Sequence, residues 1–133
     1  MKKGFTLLEV LVIAIVIGLL ATFAMPQFVK IQEKSLDNEA KGYLVIMQAA
    51  EKVIKSEGSG FYGSSNHTDL NNYLDVTLPT GTGLKWNYST KVTSASGSNP
   101  ETVCAQAQRN PNGRYWLMRD TDDTPIASSS ACP

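Results

Sequence analysis

The chain has 133 residues, enough for one domain, with 12 Lys plus Arg against 12 Asp plus Glu, one His and two Cys. Zero formal net charge gives no overall electrostatic preference for nucleic acid. A lone His67, with no second imidazole and no Ser or Cys placed to pair with it, gives hydrolytic catalysis no support and reads as a loop residue.

From Phe5 to Met25 there are 21 residues with Glu9 as the only charge. As a helix they reach about 31 Å, one hydrocarbon thickness. Lys2 and Lys3 predict a cytoplasmic amino end with the rest of the chain outside. A secretory signal cleaved after a small residue such as Ala24 is the alternative, but a carboxylate suits an h-region poorly and helical patterning continues through that point. An intramembrane carboxylate costs roughly 2.5 to 3.5 kcal/mol on insertion scales, which makes Glu9 a functional residue with a partner. Pro26 offers no amide hydrogen to the carbonyl of Thr22, and Gly18 weakens the turns before it, so a bend or local melting is expected there.

The run Lys2-Lys3-Gly4-Phe5-Thr6-Leu7-Leu8-Glu9-Val10 resembles the class III leader of type IV prepilins, with Gly before the scissile bond, Phe after it and Glu one helical turn on. Gly18 and Pro26 stand where that family commonly carries Gly and Pro. The resemblance covers about the first quarter of the chain. It implies an α+β fold, in which a long N-terminal helix packs on a small antiparallel sheet in a ladle-like outline. It also implies cleavage between Gly4 and Phe5 by a prepilin peptidase, and N-methylation of Phe5. The Glu9 carboxylate would pair with the amine of Phe5 on a neighbouring subunit, its own amino terminus being the competitor. Gly18 and Pro26 would let the helix extend as subunits leave the membrane.

The implied product is a homo-oligomeric helical filament, a type IV pilus serving adhesion, motility or DNA uptake. Pilus assembly machinery would build it from precursors in the bacterial inner membrane and deliver it outside the cell. No cofactor and no specific nucleic acid partner are implied. On this reading residues 1–4 are leader, 5–26 the transmembrane and polymerisation half of the helix, 27–57 its amphipathic half and 58–133 the globular sheet. The major pseudopilin of a type II secretion system shares this leader and is the rival. A monomeric single-pass ligand-binding protein would explain the span but not the spacing of Gly4, Phe5 and Glu9.

Beyond Pro26, Leu36, Ala40, Tyr43, Met47, Ala50 and Ile54 follow the spacing of an amphipathic helix, with Leu44, Ile46 and Val53 widening the stripe. Lys30, Glu33, Lys34, Asp37, Lys41, Glu51 and Lys55 are expected on the solvated side, with Glu51 and Lys55 as a favourable pair. Gly58-Ser59-Gly60 should stop the helix near Glu57, after about 80 Å counted from Phe5. A short helix is expected around Asp69 to Leu74. Leu84 to Val92 alternates as a half-buried strand. Thr102 to Arg109 and Gly113 to Arg119 flank the turn Asn110-Pro111-Asn112-Gly113, which completes a three- or four-stranded antiparallel sheet. Thr93 to Pro100 reads as a mobile loop.

Cys104 and Cys132 fall on the outer side of the membrane, where disulfides persist, and a bridge between them would stabilise by roughly 3 to 4 kcal/mol. Two free thiols or a metal pair is the alternative. Many type IV pilins carry a similar cysteine-bounded C-terminal region. Asp120, Asp122 and Asp123 form an acidic turn that could offer oxygens to calcium, as in major pseudopilins, although Thr124-Pro125 makes a solvated turn the simpler account. Asn66-His67-Thr68 and Asn87-Tyr88-Ser89 match the N-glycosylation pattern, and Ser128-Ser129-Ser130 could carry a glycan or be a flexible tail. Phe5, Phe23, Phe28 and Tyr43 read as packing residues rather than a conduction path.

Overall fold

The computed structural model describes residues 4–96, 100–111 and 113–133. Lys2 and Lys3, on which the orientation rests, lie outside the described residues, as do Asn112 and part of the loop from Thr93 to Pro100. The chain forms α1 (Leu7–Ser56), α2 (His67–Leu74), β1 (Trp86–Thr93), β2 (Thr102–Arg109), β3 (Tyr115–Arg119) and β4 (Ile126–Ser128). It divides into two compact units, Met1–Leu36 and Asp37–Pro133.

The first unit is helix alone. Thr6 starts it: the Thr6 Oγ1 accepts from the Glu9 amide at 3.2 Å, an N-cap that satisfies one of the free donors of the first turn. Every residue from 4 to 32 is exposed. α1 is helical through both Gly18 and Pro26. Thr22, whose carbonyl Pro26 leaves without its usual donor, turns its own hydroxyl back to the carbonyl of Leu19 at 2.7 Å.

In the second unit the remainder of α1 is a core helix. Ala40, Leu44 and Met47 repeat at the three-to-four spacing and are all 0% exposed. They meet Leu70 and Leu74 of α2, Leu78, and Trp86, Tyr88, Ala105, Ala107 and Met118 of the sheet. Two assignments from the stripe are corrected here. Ile46 and Val53 do not widen the buried face; they are 50% and 57% exposed. Glu51 is not solvated but fully buried, because it lies four residues after Met47 and seven after Leu44, on the core side. The Glu51–Lys55 pair is accordingly replaced: Glu51 accepts from the Tyr62 amide, and Lys55 donates to the carbonyl of Glu101.

α1 ends where Gly58 takes a φ of 87°. The Ser59 amide then reaches the carbonyl of Ile54 and the Gly58 amide that of Lys55, a Schellman closure. α2 begins two residues earlier than Asp69 because Asn66 caps it, its Oδ1 accepting from the Thr68 amide at 2.9 Å. His67 is therefore the first residue of a helix and not a loop residue.

The sheet is an antiparallel meander in the order β1-β2-β3-β4. Tyr88, Ala107, Trp116 and Ala127 form one rung across all four strands. Alternation in β1 holds as the sequence predicts, with Trp86, Tyr88 and Thr90 buried and Asn87 and Lys91 exposed. The small Ala105 and Ala107 of β2 leave room beneath the helix for Trp86, Tyr88 and Met47. Tyr43 meets Tyr88 edge-on at 5.3 Å between ring centroids. β3 starts at Tyr115 because Gly113, at a φ of 63°, still belongs to the turn.

Candidate functional site

The sequence-predicted processing and assembly residues sit at the start of the first unit. Gly4 and Phe5 precede the helix and are exposed, Phe5 by 77%. A Cβ added at Gly4 would meet nothing within 4 Å, so the fold itself does not require glycine there. Glu9 occupies the third helical position after the Thr6 cap, where a carboxylate also faces the positive end of the helix dipole. Thr6-Leu7-Leu8-Glu9 has the spacing of a capping box, a signal present in the sequence but not drawn from it. Around Glu9 stand Leu8, Val10, Leu11, Val12 and Ile13, all between 48% and 72% exposed. By length and composition this is a helix able to cross a membrane.

In the folded unit, Cys104 and Cys132 are joined by a disulfide with 6.1 Å between their Cα atoms. It packs with Leu117 and Tyr115 on the sheet face away from Ala105 and Ala107. The tail is also hydrogen-bonded there, the Cys132 amide donating to Gln106 Oε1 at 2.7 Å.

The acidic turn is wired internally. Asp122 Oδ2 accepts from the Arg119 amide at 2.9 Å, and the Asp122 amide donates to the carbonyl of Arg119 at 3.0 Å. Gln48, 5% exposed, donates its Nε2 to the carbonyls of Arg119 and Asp122. A neutral donor from α1 is therefore hydrogen-bonded to two carbonyl oxygens of this turn. Asp120, Asp122 and Asp123 are not brought together as ligands: among the described residues no group of three or more His, Cys, Asp or Glu is placed to hold a metal ion. The sequence reading passed over Gln48, although its position one turn after Leu44 places it beside the core.

His67 bridges two elements. Its Nε2 accepts from the Tyr88 amide at 2.8 Å, which leaves Nδ1 to carry the hydrogen and donate to the carbonyl of Pro79 at 2.7 Å. Both ring nitrogens are thus committed to holding α2 and its following loop on β1. Burial, with the Glu39 carboxylate adding to it, pushes the neighbouring Tyr88 phenol up. A concavity of about 410 Å³ is lined by Gly113, Arg114, Ala127, Ser128 and Ser129, with neither a carboxylate nor an imidazole to activate the hydroxyls. Asn66 of one glycosylation pattern is engaged as a helix cap.

Glu51 is the buried charge that sequence reasoning placed on the wrong face. Its Oε2 accepts from the Tyr62 amide at 2.9 Å, and its Oε1 is enclosed with no hydrogen-bond partner. Burial pushes its carboxyl up from the ordinary 4.5 to about 7; the Tyr62 amide pulls the other way and the Glu101 carboxylate adds to the rise.

Comparison with known proteins bears on the N-terminal segment first. Residues 1–25 match the family model of the prokaryotic N-terminal methylation motif. The chain is 37% identical over 65 residues to the type IV major pilin protein PilA of Myxococcus xanthus, covering 49% of this chain and 30% of that protein. It is 26% identical over 124 residues to the type II secretion system core protein G of Pseudomonas aeruginosa, covering 90% of this chain and 84% of that protein. A third relative, core protein G of Vibrio cholerae, is 36% identical over 58 residues, which covers 44% of this chain and 40% of that protein. The chain thus spans less than half the length of the Myxococcus and Vibrio relatives. No solved structure matches it. The leader spacing and the apolar N-terminal helix are thus the part of the chain in which the methylation-motif model and a type IV pilin are matched, and the alignment to a type II secretion core protein extends that similarity along most of its length.

Proposed function

We propose, from that similarity, that the chain belongs with the type IV pilins and pseudopilins and is a structural subunit of a type IV pilus. The observation that carries this reading is the exposed apolar helix: the large apolar side chains from Leu7 to Leu20, and Phe23, are between 48% and 84% exposed. Such a surface is buried either in lipid or against copies of itself, and a contact between copies that does not close produces a fibre. Gly4 and Phe5 are the cleavage site, used by a prepilin peptidase, and the freed Phe5 amine is the site of N-methylation. Glu9 supplies registry: its carboxylate, costly in lipid, pairs with the Phe5 amine of the neighbouring subunit. Gly18 and Pro26 are where the helix yields as a subunit passes from membrane to filament. The subunit waits in the inner membrane and leaves it by way of the assembly machinery; the chain is not an enzyme.

The Cys104–Cys132 bridge supports a pilus over a pseudopilus, since it hardens a tail exposed outside the cell. The second reading, a major pseudopilin of type II secretion, is favoured by the alignment with the Pseudomonas protein along 90% of this chain.

The test is the ratio of sheared surface filament to membrane-held subunit in wild type, Glu9→Ala and Glu9→Gln, with the mature N-terminus read by mass spectrometry. The mature chain should begin at Phe5 in all three. Both variants should insert normally and lower the ratio by at least about tenfold, the equivalent of 1.4 kcal/mol in docking. Wild-type ratios in both would remove Glu9 from assembly. A wild-type strain with no surface filament, whose deletion blocks protein secretion, would move the assignment to the pseudopilin.

A further inference from the structure

The connector leaving α1 is held by two carboxylates side by side. Glu51, from the core face of α1, accepts from the Tyr62 amide at 2.9 Å, and Glu101, just before β2, accepts from the Phe61 amide at 3.2 Å. Adjacent peptide groups are thus gripped by acids from two different elements. The rest of the grip is neutral or cationic. Lys55 donates to the Glu101 carbonyl at 3.0 Å and lies 3.8 Å from the centroid of the Phe61 ring. Thr90 of β1 donates its hydroxyl to the Tyr62 carbonyl at 2.7 Å, and Tyr73 of α2 stacks on Tyr62 at 3.9 Å. Gly60, at a φ of 74°, lets the backbone pass close to the Glu101 carboxylate; a Cβ there would stand 3.4 Å from its Oε2.

Among the described residues no cation forms an ion pair with Glu51. Lys55 is spent on the Glu101 carbonyl and the Phe61 ring, and the charged group that acts on Glu51 is the Glu101 carboxylate, which raises it further; Tyr62 acts only through its backbone amide. Oε1 of Glu51 is sealed from solvent without a partner. A buried carboxyl in that setting keeps its proton to higher pH than an exposed one, because ionisation would set an unpaired charge in the core beside a second negative one.

We propose that Glu51 is a proton-operated latch on the connector from Gly60 to Tyr62: protonated, it stays in the core and holds the Tyr62 amide, and ionised, it releases the connector and takes water. The proton goes to solvent as the latch opens, and no other group need accept it. The consequence is a globular unit whose connector is closed in acid and loosens as the surroundings turn neutral to alkaline. The sign follows from linkage. A carboxyl held above its unfolded value makes its full contribution to the closed state below pH 4.5 and loses it as pH rises toward about 7. This device is independent of whether the filament is a pilus or a pseudopilus.

The test uses the full chain in detergent micelles. Hydrogen exchange at the Phe61 and Tyr62 amides, corrected for the intrinsic pH dependence of exchange, reports the opening constant between pH 5 and 8. Tenfold per pH unit is the limit for one linked proton, so wild type should open on the order of a hundredfold more at pH 8 than at pH 5. Glu51→Gln keeps an acceptor for the Tyr62 amide and cannot ionise; its opening constant should not change over that range. Glu101→Gln should move the wild-type midpoint to lower pH. Should Glu51→Gln fail to fold, the carbon-13 shift of the Glu51 carboxyl in the wild-type chain still decides, with a midpoint near 7 expected. A wild-type opening constant indifferent to pH, a Glu51→Gln profile that parallels wild type, or a carboxyl midpoint near 4.5 would each overturn the proposal.

Discussion

Leu11 and Leu44 lie on one helix, yet Leu11 is 52% exposed and Leu44 is 0%. The same contrast holds for their surroundings. Residues 4 to 32 are all exposed, whereas from Ala40 onward the helix delivers Ala40, Leu44 and Met47 to a core shared with α2 and the sheet. One stretch is therefore apolar for the sake of something outside the chain, the other for the sake of its own fold. Substitutions in the two stretches should report on different processes: association and insertion in the first, unfolding of the globular unit in the second.

The contrast is sharpest with a matched pair. Leu44→Ala should lower the stability of the globular unit by about 2 to 5 kcal/mol, through lost burial and the cavity left between helix and sheet. Leu11→Ala should leave the melting of that unit in detergent unchanged, and its effect should appear only in the yield of filament. Thermal melts followed by Trp86 and Trp116 fluorescence measure the first, sheared filament the second. Equal losses of melting temperature in both would break the division. Next in size, Cys104→Ser or Cys132→Ser should cost roughly 3 to 4 kcal/mol, since the bridge closes a loop with a sequence separation of 28. Wild type melted with reductant should fall to the level of the Ser variants. If it does not, the bridge is not what steadies the C-terminal tail.

These two regions also differ in how far they could be read from sequence. The first was legible as an exposed apolar helix because its signal is local: a long apolar run with Glu9 as its single charge needs no partner to be recognised. The local melting expected at Gly18 and Pro26 is absent, however, α1 running as α-helix through both. In the second, the turn at Asn110-Pro111 bounded β2 to the residue, and periodicity found the helix stripe and the alternation of β1. It failed where residue type was allowed to outvote spacing. Glu51 was put on the solvated face for its charge, and Ile46 and Val53 on the core face for their apolarity, against positions that say otherwise. β4, three residues long, leaves too short a pattern to register. The roles of His67, Gln48 and Glu101 depend on Tyr88, Arg119 and Phe61, partners 21, 71 and 40 residues away, and no local pattern announces such contacts.

The smallest expected effect concerns Gln48, and it tests whether the acidic turn belongs to the protein's own framework. Its amide is the donor that reaches both the Arg119 and the Asp122 carbonyls from α1. The Arg119 carbonyl also receives the Asp122 amide, so loss of Gln48 would strand chiefly the carbonyl of Asp122. Gln48→Ala should therefore cost about 1 to 3 kcal/mol, the usual consequence of leaving a part-buried acceptor without its donor. Gln48→Met separates shape from hydrogen bonding, because it fills the same space with no N–H, and most of the loss should persist in it. Because a neutral side chain of α1 already holds this turn, a chelator should leave the wild-type melting temperature where it was, and added calcium should not raise it. A melting temperature that climbs with calcium in wild type would mean that a cation displaces the Gln48 amide from these oxygens, and that the turn between β3 and β4 is held by a ligand and not by the helix.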